Sequence, residues 1–334
     1  MESRLTTMSA IKITPAGLRL SLVLVCLWLG VVSGAALDGA GPAQVNLLVV
    51  GDSGYSAPAS RTPDQQNTAR AMAGYVHGGR SDFSAALLTG DTLKAKIAGP
   101  DDPLFGRAFE EMFNAQTLSM PFYAVFGNHD YQYKAVPAGL AYSRAHPDSR
   151  WKMPSRWYRL DLPAQNPLVT VLMLDSNRSE LGKKLWQAQL AWMEEELARP
   201  RQSSWMICLA HHPLFSDGQH GDDAALQAAW GPMMRKHKVD FYVSGHDHIL
   251  QHLEIPEWAV SFLTSGGGGE NTKRDVTGAR GPFTRAVHGF AVMEFGRLSA
   301  KVSLIDDQGR PLHVFERDRL GVTHILSTTP SDKP

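Results

Sequence analysis

The chain has 334 residues, 43% of them hydrophobic, which is enough to bury a large core and excludes a disordered protein. Its 33 acidic side chains balance its 33 basic ones, and no basic run forms a polyanion-binding surface. We therefore expect no nucleic-acid partner, and any affinity for phosphate must be local.

The N-terminus has the pattern of a targeting segment. Three basic residues precede the apolar run 20–32, and the small residues "SGAA" that follow suit a signal peptidase. About thirteen apolar residues are too few for a comfortable membrane span. We predict a signal peptide over 1–36 and an exported protein, secreted, periplasmic or in another extracytoplasmic compartment. An uncleaved anchor is the alternative, and only that alternative gives the protein a membrane partner.

The number of cysteines predicts a fold without disulfide bonds. Cys26 lies inside the targeting segment, so the mature chain carries only Cys208 and has no internal disulfide. Stability must then come from the core. The sequence does not determine the oligomeric state, and a monomer is assumed.

Strand-like and helical patterns alternate through the first part of the chain. Strands are predicted at 45–50, 83–88 and 122–126, with helices near 63–76 and 103–114 between them. This is βαβαβ order. A polar loop is expected from about 132 to 155.

The second part alternates again and then becomes nearly all strand. Strands are predicted at 157–162, 168–174, 205–210 and 239–244, with helices near 183–198 and 222–237, before the strands of the last third. We predict an α/β domain over 44–318 in which two packed mixed β-sheets are flanked by helices in four layers. Residues 319–334 are expected to form a polar C-terminal tail, and the chain after about Phe315 is expected to fray.

Metal-ligand side chains follow five of the predicted strands. The carboxyl ends of strands in open α/β sheets converge at one edge, so these side chains are expected to meet there. A Gly-Asp pair alone is more typical of a turn, but the set as a whole mixes oxygen and imidazole donors without thiolate, which suits zinc, manganese or iron. Two ions fit if one carboxylate bridges them, and Asp91 is the natural bridge. The strand-end residues are Asp52, Asp91, Asn128, His129, His211, His246 and His248.

The motifs "GDSG", "GDTLK", "GNHDY", "AHHP" and "SGHDH", in this order and spacing, resemble those of the calcineurin-like metallophosphoesterases. The chain is most similar to their tartrate-resistant purple acid phosphatase branch, over about Val45 to Phe315. The resemblance implies two packed sheets and a dinuclear metal centre, with iron, zinc or manganese as the expected ions. It also implies hydrolysis of phosphate esters.

The resemblance assigns a role to each motif residue. The first metal takes Asp52, Asp91 and His248, and the second takes Asp91 with the remaining ligands, Asn128, His211 and His246. His129 matches a histidine that contacts phosphate and helps to protonate the leaving group. His220, in "SDGQHG", falls where the branch places another substrate histidine, and its alternative is an ordinary surface residue.

The expected activity is that of an acid-phosphatase-like enzyme acting on a small phosphorylated substrate, preferably a phosphomonoester. A phosphodiesterase or nucleotide hydrolase of the same fold is one alternative. A catalytically weak protein that binds metal or phosphate is the other, and two departures from the family motivate it. Lys94 stands where the branch has a tyrosine whose phenolate binds ferric iron, and Gly54 stands where other branches have a histidine. The first site is therefore expected to be weak or differently occupied, unless Tyr55 supplies the missing ligand.

Other polar residues have plainer interpretations. Four histidines are expected to be hydrogen-bonded parts of the structure, namely His212, His237, His252 and His288. The four glycines at 266–269 are expected to form a turn beside the site rather than a phosphate cradle. Asn177, in "NRS", matches a glycosylation acceptor.

Overall fold

The structure is a computed structural model that describes residues 44–54, 63–79, 82–272, 276 and 280–330. The predicted signal peptide and Tyr55 lie outside these residues. Within the described part of the chain, no helix combines the length and the apolar composition that crossing a bilayer requires.

The first sheet contains eight strands. They are β1 (Val45–Val50), β2 (Ala85–Leu88), β3 (Phe122–Ala124), β4 (Trp151–Lys152), β12 (Gly289–Phe295), β13 (Ser299–Asp306), β14 (Pro311–Asp318) and β15 (Thr323–Thr328). Their order across the sheet is β15-β14-β13-β12-β1-β2-β3-β4. The sheet is mixed, since β1 runs parallel to β2 and antiparallel to β12.

The second sheet contains seven strands. They are β5 (Tyr158–Leu162), β6 (Val169–Met173), β7 (Trp205–Leu209), β8 (Phe241–Ser244), β9 (Leu250–Glu254), β10 (Ser261–Ser265) and β11 (Phe283–Arg285). Their order is β11-β9-β10-β8-β7-β6-β5. The central strands β6, β7, β8 and β10 are parallel, and the outer pairings are antiparallel.

Helices cover the outer face of each sheet. They are α1 (Pro63–His77), α2 (Pro103–Phe105, continuing as the π-helical turn Gly106–Glu110), α3 (Asn128–Gln132), α4 (Val136–Ala145), α5 (Arg178–Ala198) and α6 (Ala224–Lys236). Local chemistry sets some of their ends. Asp223 caps α6 by accepting the N–H of Leu226 at 2.9 Å, and Arg235 and Lys236 lie in its last turn, where cations favour the helix dipole.

Alternating side chains of each central strand supply two cores. In β1, Leu47 and Val49 pack into the core between the sheets, where they join residues of β6 and β7 such as Val171. Leu48 and Val50 point to the opposite face and pack with α1 and α2. Because both faces are covered, the strand is apolar throughout. A third core joins the second sheet to α5 and α6.

The predicted fold is confirmed: two mixed sheets pack face to face and carry helices outside. Two local expectations were wrong. The segment 132–155 is not only loop, because it contains α4 and β4. The chain after Phe315 does not fray, since β14 continues to Asp318 and β15 pairs antiparallel with it. Residues of β15 are mostly exposed and polar, so their pairing rests on backbone hydrogen bonds that side-chain hydropathy does not indicate.

Candidate active site

The carboxyl ends of strands from both sheets meet at one edge of the domain. Asp52 follows β1, Asp91 follows β2 and His246 follows β8, each in the turn directly after its strand. All three have left-handed backbone conformations, with φ of 58°, 54° and 69°. These sharp turns place a polar side chain within a few residues of a buried strand, where the hydrogen-bonded backbone fixes its position.

Asp52 and His248 form the first group of donors. Asp52 Oδ2 accepts the backbone N–H of His246 at 2.9 Å, whereas its buried Oδ1 has no hydrogen-bond partner. That oxygen lies 3.7 Å from His248 Nε2. The other ring nitrogen of His248 lies 2.8 Å from the carbonyl oxygen of Asn271, so it carries the proton and Nε2 keeps a lone pair. Asp52 Oδ1 and His248 Nε2 therefore both have free electron pairs that could coordinate a cation.

Asn128, His211 and His246 form the second group. Asn128 Oδ1 lies 3.0 Å from both His211 Nε2 and His246 Nδ1, and these two nitrogens are 3.2 Å apart. His211 Nδ1 is 2.8 Å from the carbonyl oxygen of Thr89, which fixes the ring and leaves Nε2 for a ligand. Three donor atoms therefore converge within hydrogen-bond distance of one another.

Asp91 lies between the two groups. Its Oδ1 is 3.6 Å from His211 Nε2, and one donor atom each of Asp52, Asp91 and His211 falls within 4.8 Å of the others. The structure thus brings all six sequence-predicted ligands into one cluster. Asp91 occupies the central position that a bridging carboxylate requires.

Burial of these groups explains their proton affinities. Burial raises the pKa of both Asp52 and Asp91, and the nearby charges of Asp91 and Glu270 raise the pKa of Asp52 further. Burial lowers the pKa of His211 and of His246, and neighbouring histidines lower them further. The rings are therefore neutral, as metal ligands must be, and a cation would offset the cost of two ionised carboxylates.

Two glycines in the motifs are required because the loops that carry the predicted ligands approach each other closely. A Cβ on Gly127 would lie 2.0 Å from Asp91 Oδ1, so no other residue fits before Asn128. Gly90 has φ of 102°, and a Cβ there would lie 2.6 Å from His211 Nδ1. The glycines of "TGD" and "FGN" thus let adjacent loops touch.

His129 and His220 lie beside a cavity of about 130 Å³ that the ligand cluster lines. The side chain of His129 is one-third exposed, and its Nε2 lies 3.8 Å from Asp91 Oδ2. His220 stacks near His246 with ring centroids 4.1 Å apart. Both sequence-predicted substrate histidines therefore reach the same cavity.

Asp130 fastens two ligand loops together and was missed in the sequence. Its buried carboxylate accepts the backbone N–H groups of Asp91, Leu93 and Gly127 at 3.0, 2.8 and 2.7 Å. Burial and the nearby Asp91 raise the pKa of Asp130 to about 8, against the effect of these three donors. Asp130 is part of "GNHDY", so its position in the motif could have suggested this role.

Comparison with known proteins fits this geometry. Residues 45–250 match the family described as "Calcineurin-like phosphoesterase". The chain belongs to this family. It is a metallophosphoesterase, a phosphoric ester hydrolase, as the motifs predicted. The family uses divalent metals, and its purple acid phosphatases use a dinuclear centre.

Relatives in this family include named acid phosphatases. The chain is 30% identical over 304 residues to human tartrate-resistant acid phosphatase type 5, which covers 82% of this chain and 91% of the relative. Among solved structures, GAP50, the anchor in the inner membrane complex of Plasmodium, has a TM-score of 0.68 and 19% identity, over 86% of this chain and 90% of that one. Yellow lupin purple acid phosphatase PPD1 has a TM-score of 0.64 and 16% identity, over 88% and 57%. The two structural likenesses show the fold alone.

A buried ion pair includes Lys94, the residue expected from the sequence to weaken the first site. The Lys94 ammonium pairs with the Glu270 carboxylate, and both side chains are largely buried. Burial raises the pKa of Glu270 to about 7, although Lys94 opposes the rise. Glu270 was missed because it follows a glycine run that belongs to no ligand motif.

The four histidines that were predicted to be structural have hydrogen-bond partners. Hydrogen bonds hold three histidines as expected: His237 to Glu194, His252 to His313 and Glu254, and His288 to the carbonyl oxygen of Glu270. His212 is also held, with Nδ1 2.7 Å from Ser176 Oγ, but its ring lies only 4.3 Å from that of His246.

Two other sequence features turn out to be structural. In the glycine run, the N–H groups of Gly266 and Gly268 donate to the carbonyls of Ile249 and Gly51, so the run packs against the first ligand loop. Asn177 is 5% exposed, and its amide donates to Phe126 O and Asp175 Oδ1, which leaves no free amide for a glycan. The glycosylation motif is therefore not an accessible acceptor.

Proposed function

We propose that this chain is an exported phosphatase that hydrolyses small phosphate monoesters at a centre of two metal ions. Asp52, Asp91 and His248 hold the first ion. Asp91, Asn128, His211 and His246 hold the second. When bound, the two ions neutralise phosphate oxygens and lower the pKa of the attacking water.

The observation that carries this proposal is the position of Asp91 between two complete donor groups. The unpartnered Asp52 Oδ1 and the lone pair of His248 lie on one side. The converging oxygen and nitrogens of the second group lie on the other. The donors are oxygen and imidazole only, which favours borderline divalent ions such as zinc, manganese or iron(II).

The two histidines beside the cavity serve the substrate. His129 is exposed enough to reach a bound ester and is the proton donor to the leaving oxygen. Its backbone N–H donates to Asp91 Oδ1 at 2.9 Å, which ties the acid to the bridging ligand. His220 Nδ1 donates to Asp247, and the doubly protonated ring donates through Nε2 to a phosphate oxygen.

The size of the cavity favours a monoester. A cavity of about 130 Å³ has room for roughly four waters, which is about the space that one phosphoryl group needs. The alcohol portion of the substrate must then extend into solvent. A diester needs room for a second substituent as well.

Hydrolysis of two chromogenic substrates, with metal content measured by mass spectrometry, tests the proposal. We expect the purified protein to carry metal and to hydrolyse p-nitrophenyl phosphate faster than bis(p-nitrophenyl) phosphate. Asp91→Ala should lose both metal and activity because one carboxylate serves both ions. Asp101→Ala removes an 87% exposed carboxylate and is the matched control. An Asp91→Ala variant with normal metal content and turnover would falsify the bridging role.

The same assay separates the two alternative functions. Faster hydrolysis of the diester would favour a phosphodiesterase, and metal binding without turnover of either substrate would favour a binding protein. Export has its own test. If the N-terminal segment is a signal peptide, the protein recovered outside the cytoplasm should begin near residue 37.

A further inference from the structure

Glu270 lies beside the first donor group, and the resemblance assigned it no ligand role. Its Oε2 is 3.7 Å from His248 Nε2, the same distance that separates this nitrogen from Asp52 Oδ1. The side chain is only 13% exposed. His248 Nε2 therefore faces two carboxylates, one on the loop after β1 and one beyond the glycine run after β10.

The proton on His248 makes this arrangement unusual. Because Nδ1 donates to the carbonyl oxygen of Asn271, Nε2 directs a lone pair toward two carboxylate oxygens. Both distances are too long for hydrogen bonds. The Lys94 ammonium pairs with one oxygen of Glu270, but Asp52 Oδ1 and Glu270 Oε1 are buried without a hydrogen-bond donor in the described part of the chain, so a cation at this place would still be favourable. Separations of this size are ordinary for two ligands of one ion with bonds of about 2.0–2.2 Å.

The Lys94–Glu270 pair also explains both departures from the family motifs. A Cβ on Gly54 would lie 2.4 Å from Glu270 Oε1 and 2.6 Å from Lys94 Cδ. The pair thus fills the space of a side chain at position 54 and replaces the tyrosine at position 94. Two substitutions that look unrelated in the sequence form one structural unit.

The net charge of the side chains around the first site indicates the charge of the cation that it can bind. Three carboxylates surround the first site, those of Asp52, Asp91 and Glu270, and the Lys94 ammonium offsets one of them. The remaining two negative charges balance a divalent ion. A tyrosinate in place of Lys94 would leave a more negative site, which favours an ion of higher charge.

We propose that Glu270 is a ligand of the first metal ion in place of the family's tyrosinate, and that Lys94 orients it. The site is then one for a divalent ion with oxygen and imidazole ligands, such as manganese(II), zinc(II) or iron(II). This inference rests on the proposed two-metal centre, because it assumes that a cation binds between Asp52 and His248.

Calorimetric titration of the chelator-treated protein with Mn²⁺ tests the inference without measuring activity. We expect wild type to bind two equivalents. Glu270→Gln should keep the second site and weaken the first by at least about 10-fold. Glu195→Gln, on the exposed face of α5, is the matched control and should bind as wild type does. Retention of the second site in Glu270→Gln shows that the variant is folded.

A double-mutant cycle with Lys94→Met separates a ligand from a mere counter-ion. If Glu270 is a ligand, Lys94→Met alone should tighten the first site, and Lys94→Met/Glu270→Gln should remain weak. If Glu270 only neutralises Lys94, the double variant should recover wild-type affinity, which overturns the inference. Two tight sites in Glu270→Gln would overturn it as well. A wild-type protein that binds no Mn²⁺ would instead contradict the proposed function.

Discussion

Asp247 Oδ1 lies 2.7 Å from Nδ1 of His220 and also accepts the backbone N–H of His220 at 3.1 Å. The other oxygen of this buried carboxylate accepts a hydrogen bond from Ser216 Oγ. Asp247 stands between His246 and His248 in "SGHDH", so one short segment carries two proposed metal ligands and fixes the ring of His220. For the proposed site, Asp247 is a positioning residue that acts through His220.

Asp247→Asn should lower kcat without changing metal content. An amide carries no negative charge, so the doubly protonated ring of His220 loses its counter-charge and its charge-assisted contact with phosphate weakens. We expect a loss of about 10-fold or more and a shifted acid limb in the pH profile of kcat. An unchanged pH profile, with only thermal stability reduced, would show that the contact is structural.

His129→Ala should keep its metal and lose turnover by roughly 10²-fold or more, as expected for a lost proton donor. The loss should be smaller for nitrophenyl esters than for alkyl esters, because good leaving groups need less protonation. Steady-state kinetics on both ester types measures this difference. Equal losses would argue against the acid role.

Wild-type protein supplied with ferric iron should be colourless, since Lys94 replaces the phenolate that gives charge-transfer absorption. Lys94→Tyr should gain a visible band with ferric iron, and Lys94→Phe, which has the ring but no phenolate, should not. Visible absorption spectra of wild type and the two variants, each supplied with ferric iron, test this prediction. A purple wild type would point to Tyr55 as the missing ligand.

Acid should destabilise the fold through a buried histidine pair. His252 Nδ1 lies 3.0 Å from His313 Nε2 between the two sheets, and burial lowers the pKa of both, to about 3 for His313. The unfolded chain has the ordinary pKa of about 6.5, so it binds protons that the folded pair rejects. Stability is therefore complete above about pH 6.5 and falls as the pH drops from there toward 3.

Urea unfolding at pH 7 and pH 5 measures this effect. For each histidine, the loss approaches about 1.4 kcal/mol per pH unit well below pH 6.5. His252→Phe/His313→Leu removes both groups and should show a shallower loss than wild type. The site histidines are retained in both proteins, so their contribution cancels in the comparison. Identical slopes would contradict the role of the pair.

Local sequence predicted which side chains meet at the site, because each lies shortly after a buried strand in a short motif. The sheets and outer helices were predicted for the same reason, since hydrophobic periodicity is a local property. Asp130, Asp247 and Glu270 were missed because their roles depend on contacts between loops distant in sequence. Lys94 and Glu270 are 176 positions apart, and no spacing rule joins them. The strand β15 was missed because backbone pairing at a sheet edge leaves no hydrophobic pattern.

The left-handed conformations of Asp52, Asp91 and His246 have a consequence for how the chain can evolve. Glycine adopts this conformation with less strain than any other residue, by about 1 kcal/mol. Backbone strain alone would favour glycine at all three positions. At Asp52 and Asp91 the carboxylate also accepts a backbone N–H, which offsets that preference, so His246 is the position at which a lineage that abandoned metal binding would gain most from glycine.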